Sequence, residues 1–167
     1  TLVRRPRIHA AFEDDALDLL YPSARDELRD VMSPSEPAPG SVLRAEFYRF
    51  LDRRGAVIST GDASEAGGLG LEEEARLRLP ALAETQQIGY LARRGADGSE
   101  IISELVAMPI FSQETEAVIA ALVLGFRFET AGAAGPDADM QRGVWLEKGL
   151  HMRGLTPEAR RQLAATL

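Results

Sequence analysis

The first forty residues carry apolar positions at helical spacing, with acidic positions on the other side. The apolar stripe recurs every three or four residues and consists of Ile8, Phe12, Ala16 and Leu19. This pattern predicts an amphipathic helix. Pro22 is expected to kink or end the helix, and Ser23 to cap a continuation through Met32. Residues 33–40 contain three prolines and predict a stiff, extended linker.

From residue 45 onwards the pattern is typical of strands. Residues 45–51 and 56–59 flank an Asp-Arg-Arg-Gly turn and predict a first hairpin. Residues 88–93 and 100–108 flank an Asp-Gly turn and predict a second. Residues 117–128 are the most apolar stretch, which predicts a central strand covered on both faces.

The remaining segments predict a loop followed by a short helix, and a small C-terminal extension. A Gly-rich loop at residues 59–70 leads into a helical segment that opens with three glutamates and is limited by Pro80. Residues 143–153 predict a third, short hairpin, and Thr156 is expected to cap a last helix with Pro157 at its first position.

Together these elements predict an α+β fold with an antiparallel five-stranded sheet. A long N-terminal helix packs on one face, and a small C-terminal hairpin plus helix follows the sheet. The expected organisation is one domain in three parts. These are a helical segment and linker at 1–40, the sheet at 41–130 and the extension at 131–167.

Composition narrows the function classes. A chain of 167 residues is about one domain, and its net charge of -7 disfavours nucleic acid as a partner. The absence of cysteine excludes disulfides, thiolate zinc sites and cysteine nucleophiles. No apolar run reaches the 18 or more residues of a membrane span. Because the chain opens without Met or a signal peptide, we expect it to be a piece of a larger protein.

The sequence offers little chemistry that would favour an enzyme. His9 and His151 are the only histidines and lie far apart, which disfavours a metal site or a catalytic triad. Residues 62–73 match part of a calcium-binding loop, but Ala66 stands where an oxygen ligand is needed, so a Gly-rich lid is favoured. We therefore expect no catalytic residues, no metal and no cofactor.

Two hairpins carry a family resemblance. They are the segment Leu51-Asp52-Arg53-Arg54-Gly55-Ala56-Val57-Ile58, and Val106-Ala107-Met108-Pro109-Ile110 followed by the apolar residues 118–125. With the preceding helix they resemble the Cache family of extracytoplasmic, PAS-like sensor domains of bacterial transmembrane receptors. The resemblance covers residues 8–128. It implies a ligand cavity on the sheet face opposite the helix, closed by residues 59–87, which we call the lid segment.

The chain departs from the family pattern in three respects. Family members often have Gly at the position of Ala120. The first helix is usually unbroken in the family, whereas Pro22 interrupts it here. The aromatic and arginine pattern of amino-acid-sensing members is missing, since the only tryptophan, Trp145, lies outside the matched region. An amino-acid ligand is therefore not supported.

Strand alternation nominates the residues that line the cavity, because positions two apart share a face. On the last strand the bulky set suited to a helix is Ala120, Leu122, Leu124, Phe126 and Phe128. The set suited to a pocket is Ala121, Val123, Gly125 and Arg127. The candidate ligand-binding residues are Arg127, Tyr90 and Ser103, with Arg49 or Tyr48 from the first strand according to register. An arginine among aromatics suits a carboxylate ligand, although an Arg127 in solvent at a strand end is the favoured alternative.

The resemblance implies a non-catalytic, ligand-sensing domain of a bacterial membrane receptor, located in the periplasm. A small molecule would be its partner, and segments outside this chain would anchor it in the membrane. The first helix could also pair with its copy in a homodimer. The alternative is a cytoplasmic PAS- or GAF-like regulatory module that holds a cofactor or a protein partner.

Overall fold

A computed structural model of the protein describes residues 6–32, 44–61, 66–95, 98, 100–128, 143–146, 149–152, 158 and 162. The helices with described bounds are α1 (Pro6–Glu13), α2 (Leu20–Met32) and α3 (Leu71–Arg76), and a 3-10 turn at Leu17–Leu19 separates the first two. The strands are β1 (Ala45–Leu51), β2 (Gln87–Arg94), β3 (Glu100–Phe111), β4 (Val118–Arg127), β5 (Gly143–Leu146) and β6 (Gly149–Met152). The chain divides into two compact units, Thr1–Leu91 with Ser103–Arg127, and Ala92–Ile102 with Phe128–Leu167.

The N-terminal helical region breaks earlier than the sequence predicts. The break falls at residues 14–16, where Asp15 has a φ of 55° in the left-handed region. Pro22 does not break the helix, because it lies in the first turn of α2, where backbone N–H groups have no partner within a helix. Ser23 therefore lies inside α2 and not at its start.

The main sheet has four strands in the order β1-β4-β3-β2, and β4 pairs antiparallel with both β1 and β3. The predicted central position of the apolar strand is therefore confirmed, and so is the α+β class. β5 and β6 form the predicted separate antiparallel hairpin, in which Gly143 lies opposite Met152. Thr156 and Pro157, the predicted start of a C-terminal helix, lie outside the described residues, and the described Glu158 and Gln162 are helical.

The expected fifth strand, residues 56–59, meets β1 at a single bridge between Leu51 and Val57. The backbone of Ile58 donates to the carbonyl of Phe50 at 2.8 Å. In the opposite direction the Phe50 N–H donates to the hydroxyl of Tyr21, and that hydroxyl donates to the carbonyl of Ile58. A side chain from α2 thus occupies the place of a ladder hydrogen bond, and the hairpin does not extend into a strand.

The two faces of the sheet are covered by different elements. On the helix face, Leu122 and Leu124 of β4 belong to one buried cluster with residues from α1, α2 and β1. The members from the helices are Ile8, Ala11, Leu20, Tyr21, Ala24 and Leu28. A fully buried Leu or Phe side chain contributes about 1.5–3 kcal/mol, so this cluster is a main source of stability.

On the lid face, the strand residues pack against the lid segment. The buried members are Phe47, Leu51, Leu77, Leu91, Ala121 and Val123. Gly125 lies under the ring of Phe47, and a Cβ at this glycine would overlap that ring. The sequence predicts that the small Gly125 leaves space on this face. That space is filled by the aromatic ring of Phe47 on the neighbouring strand.

Candidate functional site

Arg49 lies in the middle of β1 on the lid face. It pairs with Val123 of β4, which in turn pairs with Ala107 of β3, and paired residues on neighbouring strands share a face. Its side chain is fully buried, with a relative exposure of 0%. A guanidinium is almost never buried without partners, so its contacts define the site.

The guanidinium of Arg49 makes four hydrogen bonds, three of them to the lid segment. Its Nε donates to Oε1 of Glu74 at 2.6 Å. Its Nη1 donates to the carbonyls of Tyr48 at 2.7 Å and Ala66 at 3.0 Å, and its Nη2 donates to the carbonyl of Gly67 at 3.0 Å. One side chain therefore binds both the glycine-containing loop and α3 to the sheet.

Local structure in the lid segment places Glu74 over Arg49. The Gly70 N–H donates to Oε2 of Glu73 at 2.8 Å, which satisfies a backbone donor just before α3. Three glutamates in the first turn complement the helix dipole, as the sequence predicts. α3 ends at Arg76, before Pro80, and the Leu79 N–H then donates to the carbonyl of Gly55 at 3.0 Å. α3 is therefore connected to the sheet region through Glu74, and the residues that follow α3 are connected through Leu79.

Gly67 permits the close approach of the loop to β1. Its φ is 78°, and a Cβ would overlap the carbonyl oxygen of Glu46 and lie 2.7 Å from the Cα of Phe47. Next to it, the carbonyl of the buried Ala66 accepts from the Tyr48 N–H at 2.9 Å. The loop therefore pairs with the outer edge of β1 and leaves its carbonyls within reach of Arg49.

The ion pair between Arg49 and Glu74 is asymmetric in its access to solvent. The Arg49 side chain has no exposure, whereas the Glu74 side chain is 21% exposed. A buried charge that loses its partner costs several kcal/mol, so Arg49 requires an anion at this place. The Glu74 carboxylate is therefore the member of the ion pair that solvent reaches.

The other predicted ligand-binding residues divide between the two faces. Ser103 and Arg127 are register partners on the lid face, where Ser103 is fully buried and the Arg127 side chain is 55% exposed. Arg127 Nε lies 3.2 Å from Oε1 of Glu46 in a surface ion pair. The structure thus places Arg49, Ser103 and Arg127 on one face.

Tyr48 and Tyr90 lie on the opposite face. Tyr48 is buried in the helix-face cluster and stacks on Tyr21 with ring centroids 5.8 Å apart. Tyr90 precedes Leu91, which packs in the lid-face cluster, so alternation directs Tyr90 to the other side, and it is 38% exposed. The register therefore selects Arg49 and not Tyr48 as the β1 residue on the lid face.

Sequence reasoning missed Glu74 and the loop carbonyls. The three glutamates at 72–74 were explained by the helix dipole alone, and nothing in their order distinguishes the one that lies over β1. A buried arginine on an apolar strand is a signal for a nearby carboxylate, since buried charges are paired. That signal, applied to Arg49, would have directed attention to the acidic start of α3.

In the part of the chain that the structure describes, no group of three or more His, Asp or Glu residues is placed to hold a metal ion. Within the same residues, none of the helices combines the length and the apolar character needed to span a bilayer.

Comparison with known proteins yields partial structural likeness only. No family model and no curated protein matches the sequence. A domain of a sensory box/GGDEF family protein from Vibrio parahaemolyticus is 16% identical, with a TM-score of 0.45 and coverage of 85% of this chain and 56% of that one. The extracellular domain of a histidine kinase is 17% identical, with a TM-score of 0.43 and coverage of 85% and 53%.

A PAS domain of an HTR-like protein from Haloarcula marismortui is 16% identical, with a TM-score of 0.36 and coverage of 70% of this chain and 99% of that one. The chain spans about half the length of the Vibrio and histidine kinase structures. These neighbours are sensory and PAS domains, the class of domain that the two hairpins resemble. At these TM-scores, the functional proposals rest on the side chains of this chain.

Proposed function

We propose that this chain is the ligand-sensing domain of a bacterial membrane receptor, and that Arg49 holds an anionic group of the ligand beneath the lid segment. The observation that carries the proposal is the buried guanidinium, which binds Glu74, Ala66 and Gly67 at 2.6–3.0 Å. It is a fully buried charged group among the apolar residues of the lid-face cluster, and these three partners belong to one surface segment. Such an arrangement serves a segment that must be released and bound again.

The ligand class follows from the chemistry of the ion pair. Glu74 accepts from Nε of Arg49 through one oxygen, and a free carboxylate can make the same charge-assisted hydrogen bond. A small carboxylate would displace Glu74 and leave the hydrogen-bonding needs of Arg49 satisfied. α3 would then shift away from β1, and the ligand would favour one state of the lid segment over the other.

The proposed role is binding and signalling, without a bond-making step. The expected location outside the cytoplasmic membrane, with anchoring through segments outside this chain, belongs to the same proposal. So does the homodimer through the first helix, beside which Leu19 remains 56% exposed. Ser103 and Arg127 lie on the same face as Arg49 and are the next candidates for contact with a larger ligand.

A thermal-shift screen with small carboxylates, amines, sugars and divalent ions tests the binding step, because a ligand that binds only the folded state raises the melting temperature. We expect a carboxylate to be the hit. Arg49→Gln should abolish its effect, and Arg127→Gln should leave it unchanged. Glu74→Gln removes the internal competitor and should raise the affinity about tenfold, since a charge-assisted hydrogen bond of about 1.5–3 kcal/mol no longer opposes the ligand.

A carboxylate effect abolished by Arg127→Gln but not by Arg49→Gln would overturn the assignment of Arg49. A screen without any hit would overturn the binding proposal. The location is tested separately by the gene around this chain. Hydrophobic segments of about 20 residues on both sides support the receptor, and their absence supports the cytoplasmic regulatory module.

A further inference from the structure

The first hairpin keeps one register up to the point where the lid segment begins. Leu51 bridges Val57, the Asp52 N–H donates to the carbonyl of Ala56 at 2.8 Å, and the Ile58 N–H donates to the carbonyl of Phe50 at 2.8 Å. In this register Phe50 and Ile58 are a hydrogen-bonded pair, which in an antiparallel ladder exchanges two backbone bonds. Only one of the two is direct.

The second bond of that pair passes through Tyr21. The Phe50 N–H donates to the Tyr21 hydroxyl at 3.3 Å, and the hydroxyl donates to the carbonyl of Ile58 at 2.8 Å. Beyond this pair the N–H of Tyr48 bonds to Ala66 of the lid segment. The hairpin therefore ends, and the lid segment begins, at the place where a side chain from α2 is inserted.

Tyr21 is fixed in this position by its surroundings. Its side chain is buried, its ring packs edge-on against Phe50 at 5.5 Å, and it stacks on Tyr48 at 5.8 Å. Burial raises the pKa of Tyr21 to about 12, so the hydroxyl remains protonated and able to donate at neutral pH.

We propose that Tyr21 is a positioning residue that couples α2 to the hinge of the lid segment by separating Phe50 from Ile58. With the hydroxyl inserted, the hairpin ends at this pair. With the hydroxyl withdrawn, the Phe50 N–H and the Ile58 carbonyl pair directly, and residues 56–59 join β1 as a fifth strand. The position of α2 and the length of the hairpin thus depend on each other.

This arrangement has two states that keep every backbone group satisfied. In one state the hydroxyl of Tyr21 serves both Phe50 and Ile58, and in the other the two backbone groups serve each other. Because neither state leaves the Phe50 N–H or the Ile58 carbonyl without a partner, the difference between the states lies in the Tyr21 hydroxyl, which exchanges its two backbone partners for other surroundings. The signalling role of this coupling rests on the proposed sensing function. Within that function, the coupling supplies the route from the lid segment to α2.

The test removes the hydroxyl and follows the hydrogen bond itself. In the isotope-labelled chain, NMR measures the scalar coupling across a hydrogen bond between the Phe50 amide nitrogen and the Ile58 carbonyl carbon. We expect this coupling to be absent in the wild type and present in Tyr21→Phe. Tyr48→Phe, which removes a hydroxyl from the stacked neighbour, should leave it absent.

A second measurement needs no variant. The Tyr21 hydroxyl proton of the wild type should be observable and close in space to the Phe50 amide proton. The proposal is overturned if folded Tyr21→Phe shows no coupling between Phe50 and Ile58, or if the wild type already shows it. Neither measurement uses a ligand, so failure here is distinguishable from failure of the proposed sensing function.

Discussion

The two faces of the four-stranded sheet are held by different physical means. The helix face packs α1 and α2 through apolar and aromatic contacts, with Phe50 at the centre of a group of rings 5.5–6.0 Å apart. The lid face also has an apolar cluster, but its covering segment is bound through the guanidinium of Arg49. Apolar burial depends on area, whereas the Arg49 contacts depend on particular partners that can be exchanged.

The helix face is therefore packed by contacts spread over many atoms, whereas the covering of the lid face depends on a few polar partners of Arg49. On the helix face no small molecule can substitute for the contacts, since they are spread over many atoms. Under the proposed function, a ligand carboxylate takes the place of the Glu74 carboxylate on the lid face. The sheet then keeps its fold while the lid segment changes position.

Loss of a helix-face ring should give the largest effect. Phe50→Ala removes a fully buried ring that contacts Phe12, Tyr21 and Tyr48. We expect a loss of about 3–5 kcal/mol in the free energy of unfolding, measured with urea. The matched control is Phe111→Ala, where the ring is 38% exposed and the loss should be below about 1 kcal/mol. Equal losses would contradict a stabilising role for this face.

Loss of the buried guanidinium should act more locally. Arg49→Met leaves Glu74 and the Gly67 carbonyl without the guanidinium donor and leaves the Ala66 carbonyl with the Tyr48 N–H, and we expect a cost of about 3 kcal/mol. Hydrogen exchange should show a loss of protection first at the Tyr48 amide, which bonds to Ala66, while amides of β4 remain protected. Arg127→Met breaks only an exposed ion pair and should cost less than about 1 kcal/mol.

In Arg49→Met the lid segment should therefore lose its protection from hydrogen exchange while the sheet remains folded. Uniform loss of protection over β1, β4 and the lid segment would show that the two faces unfold together, and the distinction between them would fail.

High pH should weaken the helix face through Tyr21. Its pKa is 10.0 in the unfolded chain and about 12 in the folded protein, chiefly because burial disfavours the phenolate. The unfolded state therefore releases its proton first, so the contribution is complete below pH 10 and is lost between pH 10 and 12. The expected loss is roughly 2–3 kcal/mol. In Tyr21→Phe this part of the pH dependence of urea unfolding should disappear.

A methyl group in the lid loop should give the smallest of these losses. Gly67→Ala forces a positive φ on alanine and an overlap with β1, and we expect a cost of about 1–3 kcal/mol. Gly68→Ala is the control, since a Cβ there meets nothing within 4 Å. Thermal unfolding of both variants gives the comparison, and a Gly67→Ala protein as stable as Gly68→Ala would contradict the close approach of loop and strand.

Much of the fold follows from periodicity in the sequence. The alternation on β4 correctly assigned Leu122 and Leu124 to the helix and Val123 to the opposite face, because burial on both sides leaves a period of two in side-chain size. The break near the start of the chain was misplaced, since Pro22 can occupy a first helical turn and the left-handed Asp15 carries no distinctive signal.

The site was less predictable than the fold. Arg49 was nominated, but its contacts with Glu74 and Gly67 connect positions 18–25 residues apart. Such contacts depend on how the lid segment returns over the sheet, and no local pattern encodes that path. The insertion of Tyr21 between Phe50 and Ile58 spans 29–37 residues and was invisible for the same reason.

The most direct test of the central claim observes Arg49 while carboxylates are added. NMR of the labelled chain resolves the Nε–H of Arg49, and two- to four-carbon monocarboxylates serve as probes. We predict a saturable shift of this signal in the wild type, at about tenfold lower concentration in Glu74→Gln, and no change caused by Arg127→Gln. A signal that stays unchanged at every concentration, in the wild type and in Glu74→Gln, would contradict a ligand site at Arg49.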